Sequence, residues 1–302
     1  MTQGKILLQP GTLWTSIKQR SQQALSSGAL QSIPTEFEFI EQDGVGFLVR
    51  ILTNLVRKDE AKQKQEKQSA NCVQDFNPFL PYEQELWVAD ISDTHVCLLN
   101  KYNVVDYHLL IITRAFEEQQ SWLTLEDFAA LGACMAEYDG LAFYNCGKIA
   151  GASQRHKHLQ LVPLAIIPSV EQIPIAPLLR AAQFQEGVGT IPGLPFKHAF
   201  VYLDSNCADS PSTTLSSYHN LLRAVELHSD NCYSSNMQFG AYNLLLTREW
   251  MLIVPRSQES YESIPVNSLG FAGTLLVRNN QQMQLLKDLG PMNLLRNVGL
   301  SK

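Results

Sequence analysis

Between residues 85 and 113 the chain is cut into short runs that suit strands and little else. Leu86-Trp87-Val88-Ala89-Asp90-Ile91, then 95–99, then 107–113 are apolar and rich in β-branched residues, parted by polar turns at Ser92-Asp93 and Lys101-Tyr102-Asn103. Runs of this length with turns between them predict sheet. A helix is predicted next: Thr124 stands as N-cap, Glu126 and Asp127 in the first turn, and Leu125, Phe128, Leu131, Met135 and Tyr138 recur at helical spacing. Residues 142–144 read as a strand entering a loop with Gly147 and Gly151. The apolar run 161–167 ends at Pro168. Five prolines (Pro168, Pro174, Pro177, Pro192, Pro195) and three glycines follow by residue 195, marking a connection between two halves. Beyond it, 216–227 reads as a helix, 241–246 and 250–254 as a hairpin, 271–277 as a strand and 281–298 as one or two helices. Mixed helices and strands with hairpins predict an α+β fold with a mostly antiparallel sheet.

Composition excludes several classes of function. The 302 residues are 45% hydrophobic and 17% charged, with a net charge of −6. That apolar content is too high for a disordered chain. The acidic balance lacks the basic field of a nucleic-acid binder, but leaves room for a small anion held by a few local donors. No apolar run reaches 18 residues, so no membrane helix is expected. The first twenty residues lack the apolar stretch of a secretory signal. Cys72, Cys97, Cys134, Cys146, Cys207 and Cys232 are scattered without a C-x-x-C pair. They read as reduced thiols in a cytoplasmic protein. The polar stretch 57–68 (RKDEAKQKQEKQ) fits an exposed helix end or loop, or a loop lending one Lys to an anion.

The informative segment is GASQRHKHLQLVP, residues 151–163. If 156–162 is a strand, His156, His158, Gln160 and Val162 share one face, and Lys157, Leu159 and Leu161 the other. Two imidazoles and a carboxamide in a core-like strand form a polar ladder that needs partners or a ligand. A metal pair is one reading, yet Gln160 is a poor ligand and no Asp, Glu or Cys stands at ligand spacing nearby. A lone strand histidine is more often structural. The remaining reading is nucleophilic catalysis, in which a neutral imidazole attacks phosphorus and holds the transferred group covalently. The approach loop fits phosphate: Gly147 and Gly151 free the backbone, and Ser153, Gln154 and Gln160 offer neutral donors.

The run GASQRHKHLQ resembles the active-site motif of the ATP adenylyltransferase (diadenosine tetraphosphate phosphorylase) family. That family lies within the histidine-triad superfamily, on the branch shared with galactose-1-phosphate uridylyltransferase. On that branch His-x-His-x-Gln replaces a third histidine. Further blocks are similar: 98–108 with 110–113, Asn77-Pro78-Phe79, Tyr242-Asn243-Leu244-Leu245 with Trp250-Met251, Pro255-Arg256-Ser257, and 267–273. The resemblance implies a histidine-triad-like antiparallel sheet with helices in an N-terminal catalytic part (1–170), extended by a C-terminal part (190–302) of the adenylyltransferase type.

Residue by residue, it implies that His158 is the nucleophile, that Gln160 bonds the nucleotidyl phosphate, and that His156 orients the site. Ser153 and Gln154 would hold the polyphosphate, and Asn145, Gly151 and Ala152 would touch nucleotide or phosphate. Asn267, Ser268 and Leu269 match a substrate-contacting turn, followed by Thr274 and Arg278. Lys58, Asn77 and Pro78 match N-terminal contacts, and His108 a structural histidine before a core strand. The implied reaction cleaves diadenosine tetraphosphate with inorganic phosphate, giving ATP and ADP through an adenylyl-histidine. A divalent cation, Mg2+, would travel with the polyphosphate. Neither nucleic acid nor membrane is an expected partner. Two alternatives are a hexose-1-phosphate nucleotidyltransferase, whose zinc-binding cysteine pairs are missing here, and a nucleotide sensor without catalysis.

Overall fold

The computed structural model describes residues 5–52, 77–164, 173–203, 210–228 and 240–302. Lys58, the polar stretch 57–68, Cys72, Cys207 and Cys232 lie outside the described residues. Helix α1 spans Leu13–Ser27, and strands β1 (Thr35–Gln42) and β2 (Val45–Leu52) form a hairpin. Then come β3 (Trp87–Asp90), β4 (His95–Leu99), β5 (Leu109–Thr113), α2 (Leu125–Met135), β6 (Gly140–Asn145) and β7 (His158–Pro163). The second half adds α3 (Ala176–Leu179), β8 (Gln183–Gln185), β9 (Val188–Thr190), β10 (Ala199–Tyr202), α4 (Pro211–Ala224), β11 (Tyr242–Leu246) and β12 (Trp250–Pro255). It closes with β13 (Ser260–Tyr261), β14 (Ile264–Pro265), α5 (Ser268–Phe271), β15 (Thr274–Val277), α6 (Asn280–Leu289) and α7 (Pro291–Val298).

Ten strands join one sheet in the order β3-β4-β5-β7-β6-β11-β12-β10-β9-β8, every neighbour antiparallel. The sheet runs without a break from the first half into the second through the β6–β11 pair. A smaller sheet, β1-β2-β15, contains the parallel pair β2–β15. The fold is α+β and mostly antiparallel. Strands β4, β5, β6 and β11 are buried at every position, which is why they read as continuous apolar runs.

Each face of the large sheet has its own core. Leu159, Leu161, Ala142 and Tyr144 pack on one face with Ile17 of α1, Phe128 of α2 and Leu221 of α4. Val162, Leu141, Phe143 and Leu245 pack on the other with Phe47 of β2, Phe271 of α5 and Leu295 of α7. Helix α2 starts where predicted, in a capping box: the Thr124 hydroxyl accepts from Asp127 N–H, and Asp127 Oδ2 accepts from Thr124 N–H at 2.7 Å.

Some expectations are corrected. Residues 271–277 are not one strand: Asn267 caps the short helix α5, and Gly273, at φ 91°, turns the chain into β15. The predicted connection after Pro168 instead contributes α3 and the edge hairpin β8–β9. The helix predicted at 216–227 begins earlier, with Pro211 in its first turn. His156 precedes β7 rather than opening it, bridging to Glu118. Cys97 and Cys134 are buried free thiols. Among the described residues, no helix is long and apolar enough to cross a membrane.

Lys157 staples the motif to α2. Its side chain is fully buried, with Nζ 2.6 Å from Asp127 Oδ2 and 3.1 Å from Glu117 Oε2, and it donates to the Trp122 carbonyl. His95 Nε2 lies 3.0 Å from the other Asp127 oxygen. Burial works to raise the Asp127 pKa, but the His95 hydrogen bond and the Lys157 charge outweigh it and the net shift is downward. Removing one partner of a buried pair strands the other charge. Lys157→Met is therefore expected to cost about 3–5 kcal/mol in urea unfolding, with part of the loss recovered on adding Asp127→Asn. A loss below about 1 kcal/mol would show that the staple does not hold this strand.

Candidate active site

The backbone around the two histidines is set before their side chains are considered. Residues 155–157 pair with 117–119 through Lys157 N–H to Glu117 O (2.8 Å) and Gln119 N–H to Arg155 O (2.6 Å). Beyond the Phe143–Gln160 pair, the Gln119 side chain stands between β6 and β7. Its Nε2 donates to Asn145 O (3.0 Å) and His158 O (3.2 Å), and its Oε1 accepts from His158 N–H (2.8 Å). A carboxamide thus satisfies backbone groups that the ladder leaves open at this end. Lys157 points to the α2 face, as strand alternation requires. His158, Gln160, Phe143 and Asn145 occupy the opposite face.

Each side chain on that face is oriented by a neighbour. His158 is buried, and its Nδ1–H donates to the His156 carbonyl at 2.7 Å. That bond leaves Nε2 with its lone pair and no acceptor to serve. Burial, reinforced by nearby His156, lowers the His158 pKa to about 4, so the imidazole is neutral at pH 7. The Phe79 ring meets both imidazoles edge-on, 5.6 Å from His156 and 5.5 Å from His158. His156 donates from Nε2 to Thr113 O (2.7 Å) and accepts at Nδ1 from Asn77 Nδ2 (2.9 Å). Asn77 Oδ1 in turn accepts from Phe79 N–H. Burial also lowers the His156 pKa.

Gln160 is oriented in the same way. Asn100 Nδ2 donates to His108 Nδ1 (3.2 Å), so His108 Nε2–H donates to Gln160 Oε1 (3.0 Å). The Gln160 NH2 group remains with no acceptor among the described residues. His108 thereby sets which end of Gln160 faces outward. Burial lowers its pKa to about 4, keeping it neutral.

The phosphate-loop candidates meet the C-terminal turn. Gly151, at φ 91°, approaches so closely that a Cβ would lie 2.9 Å from Val266 O and 3.0 Å from Asn267 Cβ. Asn145 Oδ1 accepts from Ser268 N–H (2.9 Å), Ser268 Oγ (2.7 Å) and Asn243 Nδ2 (2.8 Å). Asn145 and Ser268 thus join the two halves directly, and Asn267 caps α5 through Leu269 N–H. Ser153 is exposed, and Gly151, Ala152, Gln154 and Pro78 are half-buried. Leu269 packs half-buried against the second core. Thr274 opens β15 beside Leu48, and Arg278 is exposed just after it. Among the described residues, no hydrogen bond joins Thr274 or Arg278 to the histidines. Gln119, Asn100, Thr113 and Asn243 were not legible as site residues, since only strand pairing brings them to the motif.

The comparisons with known proteins agree with this architecture. The family model described as Ap4A phosphorylase N-terminal domain matches residues 3–181, and that of the ATP adenylyltransferase C-terminal domain matches 192–301. Diadenosine 5',5'''-P1,P4-tetraphosphate phosphorylase 2 of Saccharomyces cerevisiae is 28% identical over 238 residues, covering 70% of this chain and 72% of that one. Protein APA1 of the same yeast is 25% identical over 297 residues, covering 90% and 88%. The crystal structure of yeast Ap4A phosphorylase Apa2 in complex with Ap4A superposes with a TM-score of 0.78 at 23% identity, covering 98% of this chain and 99% of that one. With its family match spanning more than half its length, and a neutral histidine held within the matched segment, the chain belongs to the Ap4A phosphorylase family and carries an ATP adenylyltransferase C-terminal domain.

Proposed function

We propose that this protein cleaves diadenosine tetraphosphate with inorganic phosphate, yielding ATP and ADP through an adenylyl group carried on His158. The observation that carries the reading is the His158 tautomer: Nδ1–H is engaged by the His156 carbonyl, and Nε2 offers a lone pair that no described residue bonds, on the face that Gln160 shares. In the first displacement Nε2 attacks the α-phosphorus, the P–O bond to the polyphosphate breaks, and ATP leaves. In the second, a phosphate oxygen attacks the same phosphorus, the P–N bond breaks, and ADP leaves with the imidazole restored to neutrality. Both leaving groups are good anions or a neutral imidazole, so in-line placement and charge stabilisation count for more than acid–base help.

Gln160 Nε2 and Asn145 Nδ2 donate to the non-bridging oxygens in this scheme, and Ser153 and Gln154 to the departing polyphosphate. Gln160 has no base to offer water, which favours phosphate as acceptor. A divalent cation, Mg2+, belongs to the polyphosphate as part of the substrate. Among the described residues, no group of three His, Cys, Asp or Glu side chains could hold a metal ion. ATP, ADP and phosphate complete the ligand set, and a cytoplasmic setting fits the free buried thiols.

Incubation with diadenosine tetraphosphate should release ATP and ADP in step with added phosphate. α-Labelled substrate without phosphate should leave label on His158. His158→Ala should lower turnover by about four orders of magnitude or more while nucleotide still binds. AMP release without phosphate would overturn the phosphorylase reading.

The pH dependence has a definite sign. The His158 pKa is lowered from 6.5 to about 4, so the lone pair survives as pH falls through 6.5 and is lost as pH falls through about 4. The kcat/KM for adenylyl transfer to His158, measured without phosphate, should stay level from pH 8 to about 5.5 and then fall toward pH 4. A midpoint near 6.5 would mean that His158 is not desolvated in the free enzyme.

A further inference from the structure

Arg256 is a buried cation that bonds no carboxylate among the described residues, with Glu259 the nearby anion whose charge acts on it. It is 5% exposed, and each of its hydrogen bonds ends on a neutral oxygen: the carbonyls of Ala150, Gln258, Glu259, Val266 and Val298, and Oδ1 of Asn243. Phe271 stacks beneath the guanidinium, 5.3 Å from ring centroid to Cζ. Burial lowers its pKa to about 10, and it still carries a full charge at pH 7. A buried charge with no carboxylate in direct contact is costly, and the acceptors show where its field is directed.

From Arg256 a chain of donors runs in one direction. Its Nη1–H donates to Asn243 Oδ1 at 2.6 Å. That bond turns Asn243 Nδ2 the other way, where it donates to Asn145 Oδ1 at 2.8 Å and to Ala150 O at 2.8 Å. Ser268 N–H and Oγ donate to the same Asn145 oxygen. With Oδ1 held by three donors, Asn145 Nδ2 is turned away from all of them and has no acceptor among the described residues. Asn145 continues β6 beyond the Phe143–Gln160 pair, which places it across from His158 and on the same face. Asn243 stands opposite Asn145 in β11.

We propose that Arg256 and Asn243 are positioning residues for adenylyl transfer: their hydrogen-bond chain holds the Asn145 carboxamide with its NH2 group turned outward onto the α-phosphate at His158. Each amide in the chain is polarised by the charge at its root, so the last N–H is a stronger anion donor than a free carboxamide. The positive charge thus reaches the phosphate from a site behind it rather than from a side chain in direct contact. The proposal rests on the adenylyl-transfer reading in that a nucleotide phosphate must sit before Asn145.

The test is AMP affinity by calorimetry in a double-mutant cycle. Asn243→Asp keeps the oxygen that Arg256 uses, but replaces the donor to Asn145 with an acceptor, which invites the Asn145 amide to flip. It should weaken AMP binding about tenfold in the wild-type background and less than about twofold in an Asn145→Ala background. Equal losses in both backgrounds, or no loss in either, would overturn the proposal. Asn145→Asp retains the inner acceptor for all three donors and so retains the fold. It should bind AMP no better than Asn145→Ala, and wild-type affinity would refute the outward donor. Arg256→Lys should keep more affinity than Arg256→Met, and equal losses would remove the charge from the account. If the Arg256 variants fail to fold, the cycle at Asn243 and Asn145 still decides. Absence of AMP binding to the unaltered chain would overturn the adenylyl reading itself, whereas binding without coupling overturns this chain of residues alone.

Discussion

The hydrogen bond from His158 Nδ1 to the His156 carbonyl, 2.7 Å long, is the contact around which the site is arranged. It requires the chain to stay extended through residues 156–158 while the second histidine folds back on the first residue's backbone. The surroundings answer that requirement from both faces. Behind the strand, Lys157 is anchored to Asp127 and Glu117. In front, Phe79 lies against both imidazoles, and beside them Gln119 completes the backbone bonds that β6 no longer supplies. Desolvation then follows from packing, and it keeps the His158 imidazole neutral.

The same logic is repeated at the two carboxamides. An amide can present either its oxygen or its nitrogen, and only the nitrogen helps an anion. His108 settles the question for Gln160 and Asn243 settles it for Asn145, each by donating to the inner oxygen. Fixing orientation in advance spares the transition state the work of turning a dipole. His108 immediately precedes β5 and Asn243 lies within β11, where rotamers are held by close packing.

How much of this was legible in the sequence depends on the distance between partners. The His-x-His-x-Gln ladder, the opposite facing of Lys157 and the Thr124 cap are local patterns, set by alternation and by helix-end chemistry, and they stand as read. The strands could be recognised because the sheet buries both of their faces. Gln119 could not: it sits in a polar stretch, FEEQQS, and its role arises only when residues 117–119 pair with 155–157. Asn243 and Arg256 are separated from Asn145 by about a hundred residues of chain; the blocks around them resemble the family, but nothing in those blocks assigns either residue to the site. The break of 271–277 into helix and strand was hidden for another reason. Its apolar run suits either element, and the Asn267 cap with the positive φ of Gly273 decides between them.

The chain's acidic balance and an anion site are reconciled by where the charge is kept. A lysine in the pocket would attract a polyphosphate, but it would hold ATP and ADP as firmly as substrate, and uniform binding does not speed the chemical step. A buried guanidinium whose bonded partners are all neutral acts differently. Its field reaches the pocket through two oriented amides, so it acts at the one position where Asn145 points rather than along the whole polyphosphate. The phosphorus transferred between oxygen and nitrogen passes that position in both displacements. In this arrangement charge stabilisation is concentrated where negative charge gathers in the transition state.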